Sequence, residues 1–178
     1  MKNLLATVCG VVLGVVLLVG CVNTSKSNRP LRVLQDAPEF SLKNVLGGEL
    51  KSSDLKGKVV VADIWATWCV PCKVEIPGYN ELKAKYKDKG VEFVGITFDS
   101  GSLEKVKPYV KDLEIQYPIV MGTDEVDAAF GGHPGYPTTI LIGKDWKVYR
   151  KIIGSVHSKK DMLEKDIVEL LAKPDSLD

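Results

Sequence analysis

Residues 58–72 read KVVVADIWATWCVPC, and the fold is decided there. Val59 to Ala66 is a continuous apolar run rich in β-branched residues, the pattern of a strand buried on both faces. It is followed at once by C-x-x-C, with Pro71 placed where a helix tolerates proline best, in its first turn. A C-x-x-C that leaves a buried strand and opens a helix is a redox motif by mechanism. The first thiol sits at a helix N-terminus, where unsatisfied N–H groups and the macrodipole favour an anion. Such thiols ionise far more readily than free cysteine. Cys69 is therefore the expected attacking thiolate, and Cys72, one turn on, the thiol that resolves a mixed disulfide.

Outward from this stretch, strands and helices alternate. Residues 71–87 read as a helix carrying Pro77, which predicts a kink. Residues 91–98, VEFVGITF, are a second buried strand, and 103–113 a helix containing Pro108, expected to be bent or to start late. A short strand at 119–121 and a short helix at 124–130 follow. Residues 138–142 and 147–153 form paired strands, and 158–172 an amphipathic helix with Met162, Leu163, Ile167, Leu170 and Leu171 on its apolar face. Upstream, Gly47-Gly48 between two short alternating runs within 37–55 is a hairpin signal. The pattern predicts an α/β architecture, a central mixed β-sheet flanked by helices, with an N-terminal β-hairpin extension.

The chain has 178 residues with a formal net charge of +1, which gives no electrostatic reason to expect a nucleic-acid partner. Charged residues make up 26% and hydrophobic ones 45%, which excludes a disordered chain. Four cysteines are too few for a disulfide scaffold, so each is read by position. Residues 4–20, LLATVCGVVLGVVLLVG, follow a single basic residue, Lys2, as in a secretory leader. An uncleaved anchor helix and a soluble secreted form are the alternatives. Leu18-Val19-Gly20-Cys21 resembles the lipobox of bacterial lipoproteins. That resemblance implies cleavage after Gly20 and lipid on Cys21. The expected organisation is a signal peptide at 1–20, a polar tether at 21–36 and one folded domain at 37–173. Cys9 would leave with the leader, so Cys69 and Cys72 would remain as the thiols of the mature chain.

VVVADIWATWCVPC and the Gly135-Tyr136-Pro137-Thr138-Thr139 segment resemble thioredoxins. With APEFSLKNVLGGELKSSDLKGK before and GYPTTILIGKDWKV after, the chain more closely resembles the TlpA/ResA group, membrane-tethered extracytoplasmic thioredoxin-like proteins within the AhpC/TSA-redoxin-like superfamily. The resemblance spans residues 37–171 and implies a thioredoxin-like fold, with Pro137 as a cis-proline facing the disulfide. A cis X–Pro bond leaves the backbone of Tyr136 free to pair with a substrate strand. Trp68, Pro71, Tyr136, Pro137 and Thr138 are then the expected substrate contacts.

Two acids complete the expected site. Glu75, three residues after Cys72, shares its helix face and matches a glutamate of the TlpA/ResA group. Asp63, on the buried strand, matches the buried aspartate of thioredoxin itself, a position at which the group typically has no acid. One or both would serve as base toward Cys72. The plainer alternatives are a solvated helix residue for Glu75 and a structural partner of Lys58 for Asp63. Trp65 reads as core, Thr67 as rim or surface, and His133 and His157 as exposed loop histidines.

The function expected is an extracytoplasmic, lipid-anchored thiol-disulfide oxidoreductase of a bacterial envelope, acting as a reductase. Its partners would be protein thiols or disulfides, such as apocytochrome c haem-site cysteines, and a membrane electron donor. It would act as a monomer with no cofactor or metal beyond its own disulfide. A zinc half-site lacks two further paired ligands, and a purely structural bridge would close too small a loop to stabilise much. A thiol peroxidase would carry Ser or Thr at Ala66 and Pro at Ala62. A copper module of related fold would carry a longer spacer between its cysteines.

Overall fold

A computed structural model describes residues 31–174. The expected leader, the expected lipid attachment site Cys21 and the expected tether up to residue 30 lie outside the described residues. Among the described residues no helix is long and apolar enough to cross a membrane.

The elements run β1 (Gln35–Asp36), β2 (Ser41–Lys43), β3 (Glu49–Lys51), β4 (Val59–Trp65), α1 (Val70–Tyr86), β5 (Val91–Thr97), α2 (Leu103–Asp112), β6 (Ile119–Met121), α3 (Asp124–Ala129), β7 (Thr138–Ile142), β8 (Lys147–Ile153) and α4 (Lys159–Leu171). The six-stranded sheet has the order β1-β8-β7-β4-β5-β6. Strands β4, β5 and β6 are parallel, while β7 and β8 run antiparallel to their neighbours, which makes the sheet mixed. Strands β2 and β3 form the hairpin expected around Gly47-Gly48, both of which lie at positive φ. This is the thioredoxin-like arrangement expected from the sequence.

β4 is buried along its whole length, and its period of two divides the core. Val60, Ala62 and Ile64 face Val94, Ile96, Ile140, Ile142, Phe40 and Trp146 on one side of the sheet. Val59, Val61 and Trp65 face Tyr79, Leu82, Phe93, Leu163 and Ile167 on the other, beneath α1 and α4. By the same alternation Asp63 falls on the α1/α4 side, in the middle of an apolar layer. Burying each large side chain there contributes roughly 1.5–3 kcal/mol, enough to hold an acid in a place it would not choose.

The end of the expected tether is packed instead. Leu31 is buried, its N–H donates to Glu169 Oε1 at 3.1 Å, and the N–H of Leu34 donates to the Val148 carbonyl at 2.8 Å. Gln35 and Asp36 pair with β8 as an edge strand. Two paired residues are too short for an alternating pattern, so composition alone read them as linker. Helix α1 passes through Pro77 without interruption, and α2 starts at Leu103 with Pro108 inside it.

Candidate active site

Cys69 is the N-cap of α1, with extended backbone, and its Sγ accepts the N–H of Cys72 at 3.2 Å. Pro71 follows in the first turn, exposed, where its missing N–H costs no hydrogen bond. Cys69 and Cys72 are joined in a disulfide with their Cα atoms 5.4 Å apart. Cys72 is wholly enclosed and Cys69 is 3% exposed, so the outer sulfur is the one an incoming thiolate meets first.

The rim around Cys69 is apolar. Trp68, Val70 and Val74 are all more than half exposed, which is unusual for side chains of this kind clustered at one helix end. Trp68 is fixed by a bond from its Nε1 to the Asp99 carbonyl at 3.1 Å and by an edge-on contact with Tyr136, centroids 5.2 Å apart. Tyr136 donates its hydroxyl to Asp99 Oδ2 at 2.9 Å. Asp99, in the loop after β5 and in the left-handed region at φ 50°, thus ties down both rim aromatics. Asp99 carried no signal in the sequence beyond an acid in a loop.

The Tyr136–Pro137 bond is cis. Pro137 is buried, and its carbonyl accepts the N–H of Gly154 at 2.7 Å. Thr138, expected as a substrate contact, is fully buried and donates its hydroxyl to the Gly135 carbonyl at 2.7 Å, so its side chain braces the turn. His133 is not the exposed loop histidine expected. Its ring stacks on Phe98 at 4.7 Å, meets Tyr136 at 4.8 Å and bonds Asp127 Oδ1 at 2.7 Å. Aromatic stacking and the carboxylate draw it against the fold. Thr67 is likewise buried, its N–H donating to Ser100 Oγ at 3.0 Å, while His157 is exposed as expected. Trp65 lies in the core.

One turn along α1 from Cys72, the chemistry changes. Glu75 is not a solvated helix residue: its side chain is 11% exposed, and Oε2 accepts the Tyr79 hydroxyl at 3.0 Å and Lys159 Nζ at 2.8 Å. The Tyr79 hydroxyl also lies 2.9 Å from Thr139 Oγ1, which Lys159 reaches at 3.4 Å. Lys159 comes from the first residue of α4, a region read from sequence only as an amphipathic closing helix.

Asp63 sits opposite Thr139 on one neighbouring strand and Gly95 on the other. The Thr139 hydroxyl is engaged by Tyr79. Gly95 has no side chain to offer, and the space a Cβ would take is filled by Ile119, Trp65 and Tyr117. Both Asp63 oxygens are therefore buried without a hydrogen-bond partner. Lys58 pairs with Glu92 at 3.1 Å and is no partner for it. Desolvation, helped by the charge of Glu75 and opposed by that of Lys159, pushes the Asp63 carboxyl up to about 8. Burial likewise raises the hydroxyls of Tyr79 and Tyr117. A carboxyl that titrates close to a thiol's own range can give a proton to a leaving thiolate and take it back.

The AhpC/TSA family matches residues 33–151. The thiol-disulfide oxidoreductase ResA of Bacillus cereus is 38% identical over 136 residues, covering 75% of this chain and 76% of its own. The thioredoxin-like protein YneN of Bacillus subtilis is 32% identical over 142 residues, covering 79% and 82%. A crystal structure of a thioredoxin-family thiol:disulfide interchange protein from Chlorobium tepidum matches with a TM-score of 0.70 and 34% identity, over 81% of this chain and 100% of that one.

Proposed function

The chain belongs to the AhpC/TSA family and is a thiol-disulfide oxidoreductase of ResA type; from that premise we propose that it acts outside the cytoplasm, lipid-anchored through Cys21, as a reductase of protein disulfides. The observation that carries the chemistry is the disulfide at the mouth of α1, with Cys69 at an apolar rim and Cys72 wholly enclosed, on a helix that also carries the buried Glu75 and packs on the strand that carries the buried Asp63. The lipobox-like Leu18–Cys21 supports the anchor. Tethering raises the local concentration of the dithiol near a membrane electron donor, which suits a protein that must be reduced again after each turnover. Haem-attachment cysteines of an apocytochrome c are the substrate class we favour, because they present an exposed, extended C-x-x-C segment.

In the reductive step the Cys69 thiolate attacks a substrate disulfide, forming a Cys69–substrate disulfide and expelling the first substrate thiolate. Cys72 then loses its proton to the ionised acid beneath it and attacks Cys69 Sγ, which closes the protein disulfide and frees the second substrate thiolate. Asp63 and Glu75 form the acid pair from which that base is drawn. Trp68, Val70 and the Tyr136 backbone receive the substrate chain.

Reduction of insulin or of a haem-site peptide by the dithiol form tests the reading. Cys69→Ser should abolish turnover, and Cys72→Ser should accumulate a mixed disulfide at Cys69. A reduction potential nearer thioredoxin's, about −270 mV, than DsbA's, about −120 mV, is expected for a reductase. A strongly oxidising value would reverse the assigned direction.

A further inference from the structure

Lys159 breaks the local rules of the place it occupies. It is a cation at the first position of α4, where the helix dipole disfavours positive charge. Its side chain is 3% exposed, although lysine is among the residues least often buried. The residue before it, Ser158, lies in the left-handed region at φ 65° and makes no side-chain cap. Neighbouring contacts between α1 and α4 follow the ordinary surface pattern: Lys160 pairs with Glu81, and Lys85 with Glu164 at 2.5 Å. Lys159 turns inward instead, and its ammonium meets Glu75 Oε2 and Thr139 Oγ1. Sites that violate several local preferences at once are where function is expected to reside.

The groups facing this cation are few. α1 contributes Glu75 and Tyr79, β4 contributes Asp63 and β7 contributes Thr139, while the Tyr117 hydroxyl, from the segment before β6, feels the charges of Asp63 and Glu75. Two carboxyls and one ammonium therefore share an enclosed space. Two buried carboxylates cannot both be charged beside a single cation without a large penalty. The hydrogen bonds break the tie: Glu75 has an ion pair and a tyrosine donor on one oxygen, and Asp63 has neither.

We propose that Lys159 is a positioning residue that holds Glu75 as the carboxylate and thereby leaves the exchangeable proton of the acid pair on Asp63. The proposal rests on the thiol-disulfide reading above and assigns its proton. When a donor thiolate attacks Cys69 Sγ, a donor–Cys69 disulfide forms, the Cys69–Cys72 bond breaks, and the electron pair leaves on Cys72 Sγ. The Asp63 proton neutralises that sulfur and Asp63 becomes ionised. In the opposite direction Asp63 takes the proton back as Cys72 attacks. Glu75 stays charged throughout, so a single acid carries a single proton.

Carbon-13 NMR of the oxidised full chain, labelled at aspartate Cγ or glutamate Cδ and assigned with Asp63→Asn and Glu75→Gln, is the test. Asp63 should titrate between neutral and mildly alkaline pH while Glu75 keeps a carboxylate signal throughout. In Lys159→Met the pH midpoint for resolution of the Cys69 mixed disulfide should move alkaline by about one unit. Glu75 titrating in the wild type overturns the proposal, and that arm decides even if Lys159→Met does not fold. A folded Lys159→Met protein with an unmoved pH profile also overturns it, whatever its melting temperature. Wild-type protein that exchanges no disulfides would instead sink the functional reading, and the NMR titration would still judge Lys159.

Discussion

At the mouth of α1, Trp68, Val70 and Val74 stand exposed, and the Trp68 indole is held by the loop after β5. One turn further along the same helix, Glu75 is enclosed with Tyr79, Thr139, Lys159 and Asp63, drawn from α1, α4, β4 and β7. The first region is apolar and open, so it can govern which chain reaches Cys69. The second is polar and shut, so it can govern only protons. Variants in the two regions should therefore fail in different currencies. Rim variants should alter protein-substrate kinetics at every pH, and inner variants should alter the pH dependence while leaving substrate choice intact.

The largest effect of that contrast is on stability, through Asp63. Its folded-state carboxyl is raised to about 8 from an ordinary 3.8. A raised acid favours folding fully below the unfolded value, and that contribution is lost as pH climbs through the folded value. Between about pH 4 and pH 8 the native state keeps a proton that the unfolded chain has shed, so wild-type stability should fall across this window and level off above it. Asp63→Asn removes the titration. Its stability relative to wild type should climb over the same window by a few kcal/mol in total, read from urea unfolding of the oxidised forms. A difference that stays flat with pH would mean Asp63 is not the buried titrating acid. Rim variants such as Trp68→Ala should show no such slope.

Trp68→Ala sharpens the contrast from the other side. It removes an exposed indole and its edge-on contact with Tyr136, a kind of pair worth about 0.5–1.5 kcal/mol. That corresponds to a loss of roughly two- to tenfold in kcat/KM for a protein disulfide. A small disulfide such as oxidised glutathione touches too little of the rim to notice, so its rate should hold. Equal losses on both substrates would indicate that Trp68 shapes Cys69 reactivity instead of docking a chain.

The outer region was legible because its information is local in sequence. Cys69, Pro71 and Cys72 sit in four consecutive residues, a strand rich in Val precedes them, and Tyr136-Pro137 lies in a short motif of its own. Strand β4 and the α1 start followed from the same run. The inner region was half legible. Asp63 and Glu75 stood out as acids at telling distances from the cysteines, but Lys159 lies far along the chain among other lysines. Only the docking of α4 on α1 distinguishes it from Lys160, which points to solvent-side Glu81. Thr139 and Tyr79 read as strand and helix core for the same reason. His133 and Thr138 went the other way: residues of loop or rim type in sequence, they are drawn inward by a stacked ring and a turn carbonyl. β1 was hidden by its length, since two residues carry no period.

The smallest effect expected is at Asp99, where the rim is held and no chemistry occurs. Its carbonyl receives the Trp68 indole and its carboxylate the Tyr136 hydroxyl, while its backbone occupies the left-handed region. Asp99→Asn keeps a side-chain acceptor and a residue type that tolerates this conformation. Asp99→Ala keeps only the carbonyl and adds a backbone cost of about 1 kcal/mol. Because Asp99 is exposed, water replaces most of what the lost hydrogen bond provided. Asp99→Asn should therefore match wild type, and Asp99→Ala should lose about two- to threefold in kcat/KM toward protein disulfides, within the range set by Trp68→Ala. The pH profile should be unmoved in both. If Asp99→Ala shifted that profile, the open and the shut regions would be coupled through the loop after β5, and the division of labour between them would have to be redrawn.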